Sequence, residues 1–128
     1  MQLLIDTHIF IGFARDTLDA THPRLAWHVK NKENSCSLSI ASIWEIAIKT
    51  RLGKLDAGLP PDEIVEFCKS AEIQLLPISA AHATELLLPE PLTRDPFDRM
   101  LLAQCAVENM KLVTIDRLMA GHPLVLSA

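Results

Sequence analysis

Short apolar runs alternate with longer amphipathic segments along this chain, and this alternation limits the possible folds more than any other feature. The candidate strands are QLLI (2–5), SCSLS (35–39), IQLLPIS (73–79), KLVTI (111–115) and a short final PLVL (123–126). Most of them are apolar at consecutive positions, as expected for strands that are covered on both faces. The pattern therefore predicts an α/β fold with a mostly parallel sheet of four to five strands between helices.

The segments after the first two runs carry helix signals. A short helix is predicted at residues 7–14, and a second one runs from Pro23 to about residue 31 with Thr21 as its cap. The stretch SIWEIAIKTRL predicts a third helix that ends at Gly53. Its N-terminal cap is one of the two serines that precede it, Ser39 or Ser42.

Three further helices are predicted in the second half of the chain. The first covers residues 62–70, and the apolar residues predicted to face inward from it are Ile64, Val65, Phe67 and Cys68. Ser79 is predicted to cap a helix that ends near Pro89. A long amphipathic helix is predicted over residues 96–109.

Length and composition favour one globular domain over residues 1–128, with 49% apolar and 22% charged residues. The three cysteines lie in apolar surroundings without a CxxC pair, which predicts buried free thiols and no thiolate zinc site. The N-terminal MQLLID lacks the basic region of a signal peptide, and no apolar run reaches membrane-spanning length. We therefore expect a soluble, cytoplasmic protein.

Five acidic residues are predicted to lie at one edge of the sheet. Asp6 and Asp116 directly follow the first and fourth strand candidates, while Asp95 and Asp98 begin the long helix that leads into the fourth. Right-handed crossovers place the start of that helix near the carboxyl ends of the strands, where open parallel sheets bind ligands. Glu45 lies one turn into the helix that follows the second strand, so it points to the same edge.

Each acid also has a purely structural explanation. The alternatives are an N-cap for Asp95, the helix macrodipole for Asp98, a turn or cap for Asp6, a surface ion pair for Asp116, and an i,i+4 ion pair with Lys49 for Glu45. Several carboxylates close together cannot all stay ionised without cations, however. Their hard oxygen ligands suit Mg²⁺ or Mn²⁺.

Four segments resemble the successive motifs of PIN-domain ribonucleases, in particular the VapC-type toxins of toxin–antitoxin pairs. They are LLIDTHIFI, SIWEIAIKTRLGKL, LTRDPFDRMLLAQ and LVTIDRLM, and together they extend over nearly the whole chain in the order of the family. The resemblance implies a PIN-like three-layer α/β/α sandwich. It also implies hydrolysis of RNA phosphodiesters by a metal-dependent endoribonuclease.

The resemblance assigns roles to the acids and to their neighbours. The residues that match the catalytic set are Asp6, Glu45, Asp98 and Asp116. Of these, Asp6, Asp98 and Asp116 match the ligands of one or two Mg²⁺ or Mn²⁺ ions, and Glu45 matches a residue that acts through water. The auxiliary positions are Asp95, Thr7 and Thr114, and Thr93 departs from the family because relatives often have histidine there.

The resemblance further implies an RNA substrate, a cognate antitoxin that inhibits the enzyme, and a homodimer. Basic residues that could contact the RNA backbone are Lys49, Arg51, Lys54, Arg94 and Arg99, although such side chains are often only solvated and Arg99 could pair with an acid. Apolar residues that could form an antitoxin groove or dimer surface, or simply pack in the core, are Ile43, Ile46, Ile64 and Phe67. The alternative function is a catalytically silent PIN-like domain that binds a protein or RNA.

Both tryptophans are expected to be packing residues. Trp27 lies in the predicted second helix, and Trp44 directly precedes Glu45. Because Trp44 neighbours a candidate site residue, stacking of a nucleobase on its indole is the other interpretation.

Overall fold

A four-stranded parallel sheet forms the centre of the protein. The computed structural model describes residues 1–126. The strands are β1 (Gln2–Ile5), β2 (Ser35–Ser39), β3 (Gln74–Leu76) and β4 (Lys111–Val113). Their order is β3-β2-β1-β4 and every neighbouring pair is parallel. The predicted α/β class with a parallel sheet is confirmed.

Seven α-helices connect and flank the strands in the described part of the chain. They are α1 (Thr7–Ala14), α2 (Leu18–Thr21), α3 (Pro23–Lys30), α4 (Ile40–Arg51), α5 (Ile64–Ser70), α6 (Ala80–Thr84) and α7 (Pro96–Glu108). A 3₁₀ turn at Pro61–Glu63 precedes α5. Each of the three connections between consecutive strands contains at least one helix, as connections between parallel strands require.

Separate apolar cores cover the two faces of the sheet. Along β1, Leu3 and Ile5 point into one core and Leu4 into the other, because successive strand side chains point to opposite faces. The first core collects residues from α1, α3, α4 and α5, and the second is built mainly on α7. The sheet therefore lies between two helical layers, which is the three-layer sandwich that was predicted.

Helix caps at the carboxyl ends of the strands direct the chain into the flanking helices. The Asp6 carboxylate caps α1, the Ser39 hydroxyl accepts a hydrogen bond from the Ala41 amide to cap α4, and Asp95 caps α7. Of the two predicted caps for α4, Ser39 is therefore the one used. These caps place the first turns of three helices beside the ends of β1, β2 and β4.

Several predicted boundaries and one predicted cap are wrong. Thr21 ends the unpredicted helix α2 instead of capping α3, because its hydroxyl donates backward to the Thr17 carbonyl. Helix α6 ends at Thr84, well before Pro89, and the chain then turns so that Leu87 enters the second core. Residues 73–79 contribute only a three-residue strand, which ends before Pro77.

Other differences concern exposure and the end of the chain. Val65 is 48% exposed, because Ile64 and Cys68 are the residues of α5 that face the core. Residues 123–126 make only one isolated parallel bridge, between Val125 and Leu112, so they do not form a full fifth strand.

The three cysteines are buried free thiols, as predicted. No helix in the described range is long and apolar enough to cross a membrane.

The expectation that both tryptophans pack inside the protein is wrong. Trp27 and Trp44 are each 62% exposed. Of the apolar residues considered for a partner groove, Ile46 and Ile64 are fully buried, and Ile43 and Phe67 pack against the first core. Core packing therefore accounts for these four residues.

Candidate active site

Asp6 lies at the carboxyl end of the central strand β1 and is buried. One carboxylate oxygen, Oδ1, accepts a hydrogen bond from the Ile9 amide at 2.8 Å, and Oδ2 accepts one from the Thr114 hydroxyl. Burial raises the pKa of Asp6, although the hydrogen bonds from Thr114 and Ile9 work in the opposite direction. The carboxylate is thus fixed in direction while its charged form is disfavoured.

Asp116 follows β4 and lies at the same edge of the sheet as Asp6. The side chain of Thr114 links these two aspartates. The Thr114 hydroxyl donates to Asp6 and accepts from the Asp116 amide at 3.1 Å. Oδ1 of Asp116 in turn accepts from the Leu118 amide at 2.8 Å. Oδ2 of Asp116 has no hydrogen-bond partner within residues 1–126, so it is available to a ligand.

Asp98 lies in the first turn of α7 and is half-buried. The buried Thr93 hydroxyl donates to Oδ2 of Asp98 at 2.9 Å and accepts from the Asp95 amide at 3.2 Å. Burial raises the pKa of Asp98 to about 6, with further upward contributions from the charges of Asp95, Asp116 and Asp6. The charges of three other carboxylates therefore disfavour the ionised form of Asp98, and Oδ1 of Asp98 has no partner in the described residues.

Asp95 is exposed and performs the structural role considered for it. Its Oδ1 accepts from the Phe97 amide at 2.8 Å, which makes it the N-cap of α7. The cap fixes the direction of the first helical turn and hence the position of Asp98.

Glu45 is buried on α4, and both of its oxygens are engaged. Oε1 accepts from the Thr7 hydroxyl at 2.6 Å, and Oε2 forms an ion pair with the Lys49 ammonium at 2.5 Å. The hydrogen bond to Glu45 raises the pKa of Lys49, as do the charges of Glu45, Asp95 and Asp98. Lys49 therefore interacts electrostatically with acids on α4 and at the start of α7. The i,i+4 pair of Glu45 and Lys49 does not lie on a solvent-exposed helix face, contrary to the structural explanation considered for Glu45.

Four carboxylates from four chain segments consequently lie at the carboxyl ends of the strands; we call Asp6, Glu45, Asp98 and Asp116 the acid edge. Within residues 1–126, no three His, Cys, Asp or Glu side chains are close enough together to form a metal cage. The donor chemistry nevertheless fits a hard divalent cation, because the free oxygens of Asp98 and Asp116 belong to carboxylates that repel one another.

Thr93 and Thr114 form the same pattern of hydrogen bonds. In T-R-D and T-I-D, the hydroxyls of Thr93 and Thr114 each accept from the amide of the aspartate two residues later and donate to another carboxylate. Thr93 was noted from the sequence only as a departure from the family, so its contact with Asp98 was missed. The repeated T-x-D spacing is the signal that could have revealed it.

The basic residues separate into two groups. Lys49 is paired with Glu45, and Arg99 pairs with Glu90 at 2.7 Å while also donating to the Thr93 carbonyl at 3.2 Å. Arg51 and Arg94 are exposed and make no ion pair with any described residue. The second group is therefore freer to contact a phosphate backbone.

Comparison with known proteins identifies the family. The model of the PIN domain matches residues 3–121. The chain belongs to the PIN-domain family. The match includes all four residues of the acid edge, and the resemblance of the sequence to PIN domains is confirmed. No curated protein matches this PIN domain.

A solved structure extends the comparison to the whole fold. The crystal structure of VapBC2 from Rickettsia felis, bound to a DNA fragment from their promoter, contains a similar chain with a TM-score of 0.64. The two chains are 16% identical, and the alignment covers 98% of this PIN domain and 96% of the other chain. At this identity the similarity shows a shared fold extending over nearly both chains.

Proposed function

We propose that this PIN domain is a metal-dependent endoribonuclease of the VapC type, with Asp6, Glu45, Asp98 and Asp116 as its catalytic residues. The observation that supports this most strongly is the acid edge itself. Its members come from separate segments, and threonine hydroxyls bind three of the four carboxylates. A merely structural set of caps does not require a buried glutamate or like charges that oppose one another.

In this proposal Asp6, Asp98 and Asp116 hold one or two Mg²⁺ or Mn²⁺ ions. Such an ion would lower the pKa of a bound water and would stabilise negative charge on a phosphate. Thr114 and Thr93 orient Asp6 and Asp98 through the hydrogen bonds described above. Burial is the main cause of the raised pKa of Asp98; the charges of Asp95, Asp116 and Asp6 add to it, and a bound cation would offset these charges.

Glu45 is proposed to orient the attacking water. The Thr7 hydroxyl holds Oε1, and the Lys49 ammonium stabilises the ionised carboxylate through Oε2. Ionised Glu45 can accept a hydrogen bond from water and direct its lone pair toward the phosphorus. Attack by water on the phosphodiester leaves a 5′-phosphate and a 3′-hydroxyl, and no covalent enzyme intermediate is formed.

The RNA backbone must approach a protein with a net charge of −4. Exposed Arg51 and Arg94, which have no acidic partner in the described residues, are proposed to contact phosphates, with Lys54 as a further candidate. Lys49 and Arg99 are better explained by their pairing with Glu45 and Glu90. A cation bound at the acid edge would supply further positive charge.

A protein partner is also proposed. The similar chain in the Rickettsia felis structure belongs to a VapBC2 assembly bound to promoter DNA. By analogy we propose that this chain is the toxin of a toxin–antitoxin pair and is inhibited by a cognate antitoxin. The homodimer implied by the family resemblance stays a prediction that light scattering on the purified chain would test.

The second candidate is a catalytically silent PIN domain that binds a protein or RNA. Two observations favour it: both oxygens of Glu45 are already occupied, and no metal cage is formed by residues 1–126. The two candidates differ in whether RNA is cut, so cleavage is the property to measure.

The experiment is sequencing of RNA 5′ ends after brief expression of the wild type and of Asp6→Asn. New 5′-phosphate ends at defined positions in the wild-type sample, and none in the variant sample, are expected. These positions also name the RNA target. Identical 5′ ends in both samples, at expression levels that are equal by immunoblot, would support the silent candidate.

A further inference from the structure

We propose that Trp44 is a stacking platform for an unpaired nucleobase beside the acid edge, so that the site selects single-stranded RNA. This inference rests on the proposed nuclease function and adds a substrate-binding residue to it. Trp44 lies on α4 directly before Glu45, and its side chain is 62% exposed. An indole of this size is usually buried, and its exposure here leaves a large apolar surface in water.

Trp44 is held in place by an aromatic contact with the other helix of the site. Its ring centroid lies 6.1 Å from that of Phe97, with an interplanar angle of 66°. Phe97 lies between the cap Asp95 and the acid Asp98 in the first turn of α7. The edge-to-face pair therefore connects the two helices that carry Glu45 and Asp98, and it places the indole at the rim of the acid edge.

Exposure alone would not make Trp44 a binding residue, and Trp27 shows why. Trp27 is equally exposed and also has an edge-to-face aromatic neighbour, His28, at 5.0 Å. It lies on α3, however, and neither it nor His28 adjoins a member of the acid edge in the sequence. Position beside the carboxylates distinguishes Trp44, because a base stacked there belongs to a nucleotide near the phosphate that is cut.

The charge pattern around Trp44 favours a nucleic acid over an apolar protein surface. Two exposed arginines that form no ion pair with the described residues belong to the same two helical segments: Arg51 ends α4, and Arg94 precedes Asp95 at the start of α7. Single-strand-binding proteins combine such cationic groups with aromatic rings, which accept any base through its π face. A base within a duplex is already stacked on both sides, so this platform discriminates against double-stranded RNA.

The chain offers a matched test because it has two tryptophans and no tyrosine. The full chain is prepared as Trp27→Phe, which leaves Trp44 as the only indole, and as Trp44→Phe, which leaves Trp27. Each protein is titrated in EDTA with a 12-nucleotide adenosine RNA, with an abasic strand of equal phosphate number, and with the RNA as a duplex. EDTA keeps the strands uncut, so fluorescence reports binding alone.

We expect the adenosine RNA to quench the Trp44 emission, with much weaker quenching by the abasic strand and the duplex. The Trp27 emission should not change. Anisotropy of end-labelled RNA should show that Trp44→Leu weakens binding by roughly tenfold, while Trp27→Leu stays within about twofold. Thermal melts of both leucine variants check that each is folded.

Several outcomes would overturn the platform. One is equal quenching of the emission of both indoles by the RNA. Another is RNA binding, measured by anisotropy, without quenching of the Trp44 emission. A third is a blue shift of the Trp44 emission that depends on protein concentration, because it would assign Trp44 to a contact between two copies of the chain. Cleavage assays with Mn²⁺ on the same proteins separate the two proposals. Cleavage without Trp44 quenching rejects only the platform, whereas the absence of both binding and cleavage rejects the nuclease proposal as well.

Discussion

Threonine hydroxyls determine where the carboxylates of the acid edge point. Thr7, Thr93 and Thr114 donate to Glu45, Asp98 and Asp6, respectively. Hydrogen bonds to an ionised group are stronger than neutral ones, and they reduce the rotational freedom of the acceptor. The hydroxyls of Thr114 and Thr93 therefore favour the charged forms of Asp6 and Asp98, and all three hydroxyls hold their carboxylates in position.

Replacement of Thr93 tests this role. Thr93→Val removes the donor to Asp98 and should raise the pKa of Asp98 above its value of about 6, because the charged form loses a hydrogen bond. At pH 7 the free energy of unfolding should fall by about 1 kcal/mol. NMR titration of the Asp98 carboxyl in EDTA measures the pKa, and urea denaturation measures the stability.

The matched control is Thr93→Ser, which keeps the hydroxyl. It should titrate close to the wild type. If Thr93→Val leaves the pKa of Asp98 unchanged, or if Thr93→Ser shifts it as much as Thr93→Val does, the hydroxyl hydrogen bond does not set that pKa.

Asp98 itself should destabilise the metal-free protein at neutral pH. Its pKa is raised to about 6 in the folded state, against about 3.9 in the unfolded chain, so stability is lost as the pH rises from 4 to 6. Asp98→Asn should therefore unfold at higher urea than the wild type in EDTA at pH 7.5. Solvent screening of this half-buried group reduces the expected gain to about 1 kcal/mol.

The gain should disappear below pH 4, where Asp98 is protonated in both states. Urea denaturation at pH 4 and pH 7.5 measures both values. A loss of stability of similar size at both pH values would instead indicate that Asp98 is mainly a helix-stabilising residue.

Much of the acid edge could be predicted from sequence position, and its finer contacts could not. Asp6 and Asp116 directly follow apolar runs, and this position alone assigns them to the carboxyl ends of strands. The contacts of Thr7 with Glu45 and of Thr114 with Asp6 depend on how α1, α4 and β4 are arranged around the sheet edge. Such contacts between distant segments leave no periodic signal in one sequence.

Whole elements were predictable where local signals agreed with tertiary packing. Strand β1 and helix α1 have their predicted bounds, because a buried apolar run meets an aspartate cap there. Helix α6 ends early although Glu85–Leu88 contains good helix formers. Burial of Leu87 in the second core overrides that local preference. Helix α2 is a single turn, too short to show helical periodicity.

The end of α4 provides a prediction at this scale. Gly53 has φ +71°, and the amides of Gly53 and Lys54 bond back to the carbonyls of Thr50 and Lys49. Gly53→Ala should cost about 1 kcal/mol of stability through backbone strain alone, since an added Cβ would meet nothing within 4 Å.

Gly121→Ala is the matched control, because an added Cβ there also meets open space and no positive φ is involved. It should change the free energy of unfolding by less than about 0.5 kcal/mol. Urea denaturation compares the two variants. Equal effects would mean that the left-handed conformation at Gly53 contributes nothing to the end of the helix.

Across the whole molecule, two apolar cores hold the sheet while charge is concentrated at one end of it. The general layout follows from alternating runs and right-handed crossovers, and it was predictable. The exposure of Trp44 was not, because an indole next to an apolar helix face satisfies the usual pattern for burial. The positions of large apolar side chains that remain outside the core are therefore the information that the structure adds most clearly to the sequence.

The central claim is that the acid edge cuts RNA through a bound divalent ion, and a matched pair of aspartates tests it. Purified wild type, Asp98→Asn and Asp95→Asn are incubated with single-stranded RNA in Mn²⁺ or Mg²⁺ and in EDTA, and initial cleavage rates are measured. Asparagine still caps a helix, so Asp95→Asn should cleave within a few-fold of the wild type. Asp98→Asn should lose at least about 100-fold, as should the wild type in EDTA. Undiminished cleavage in EDTA, or equal losses in the two variants, would contradict the claim.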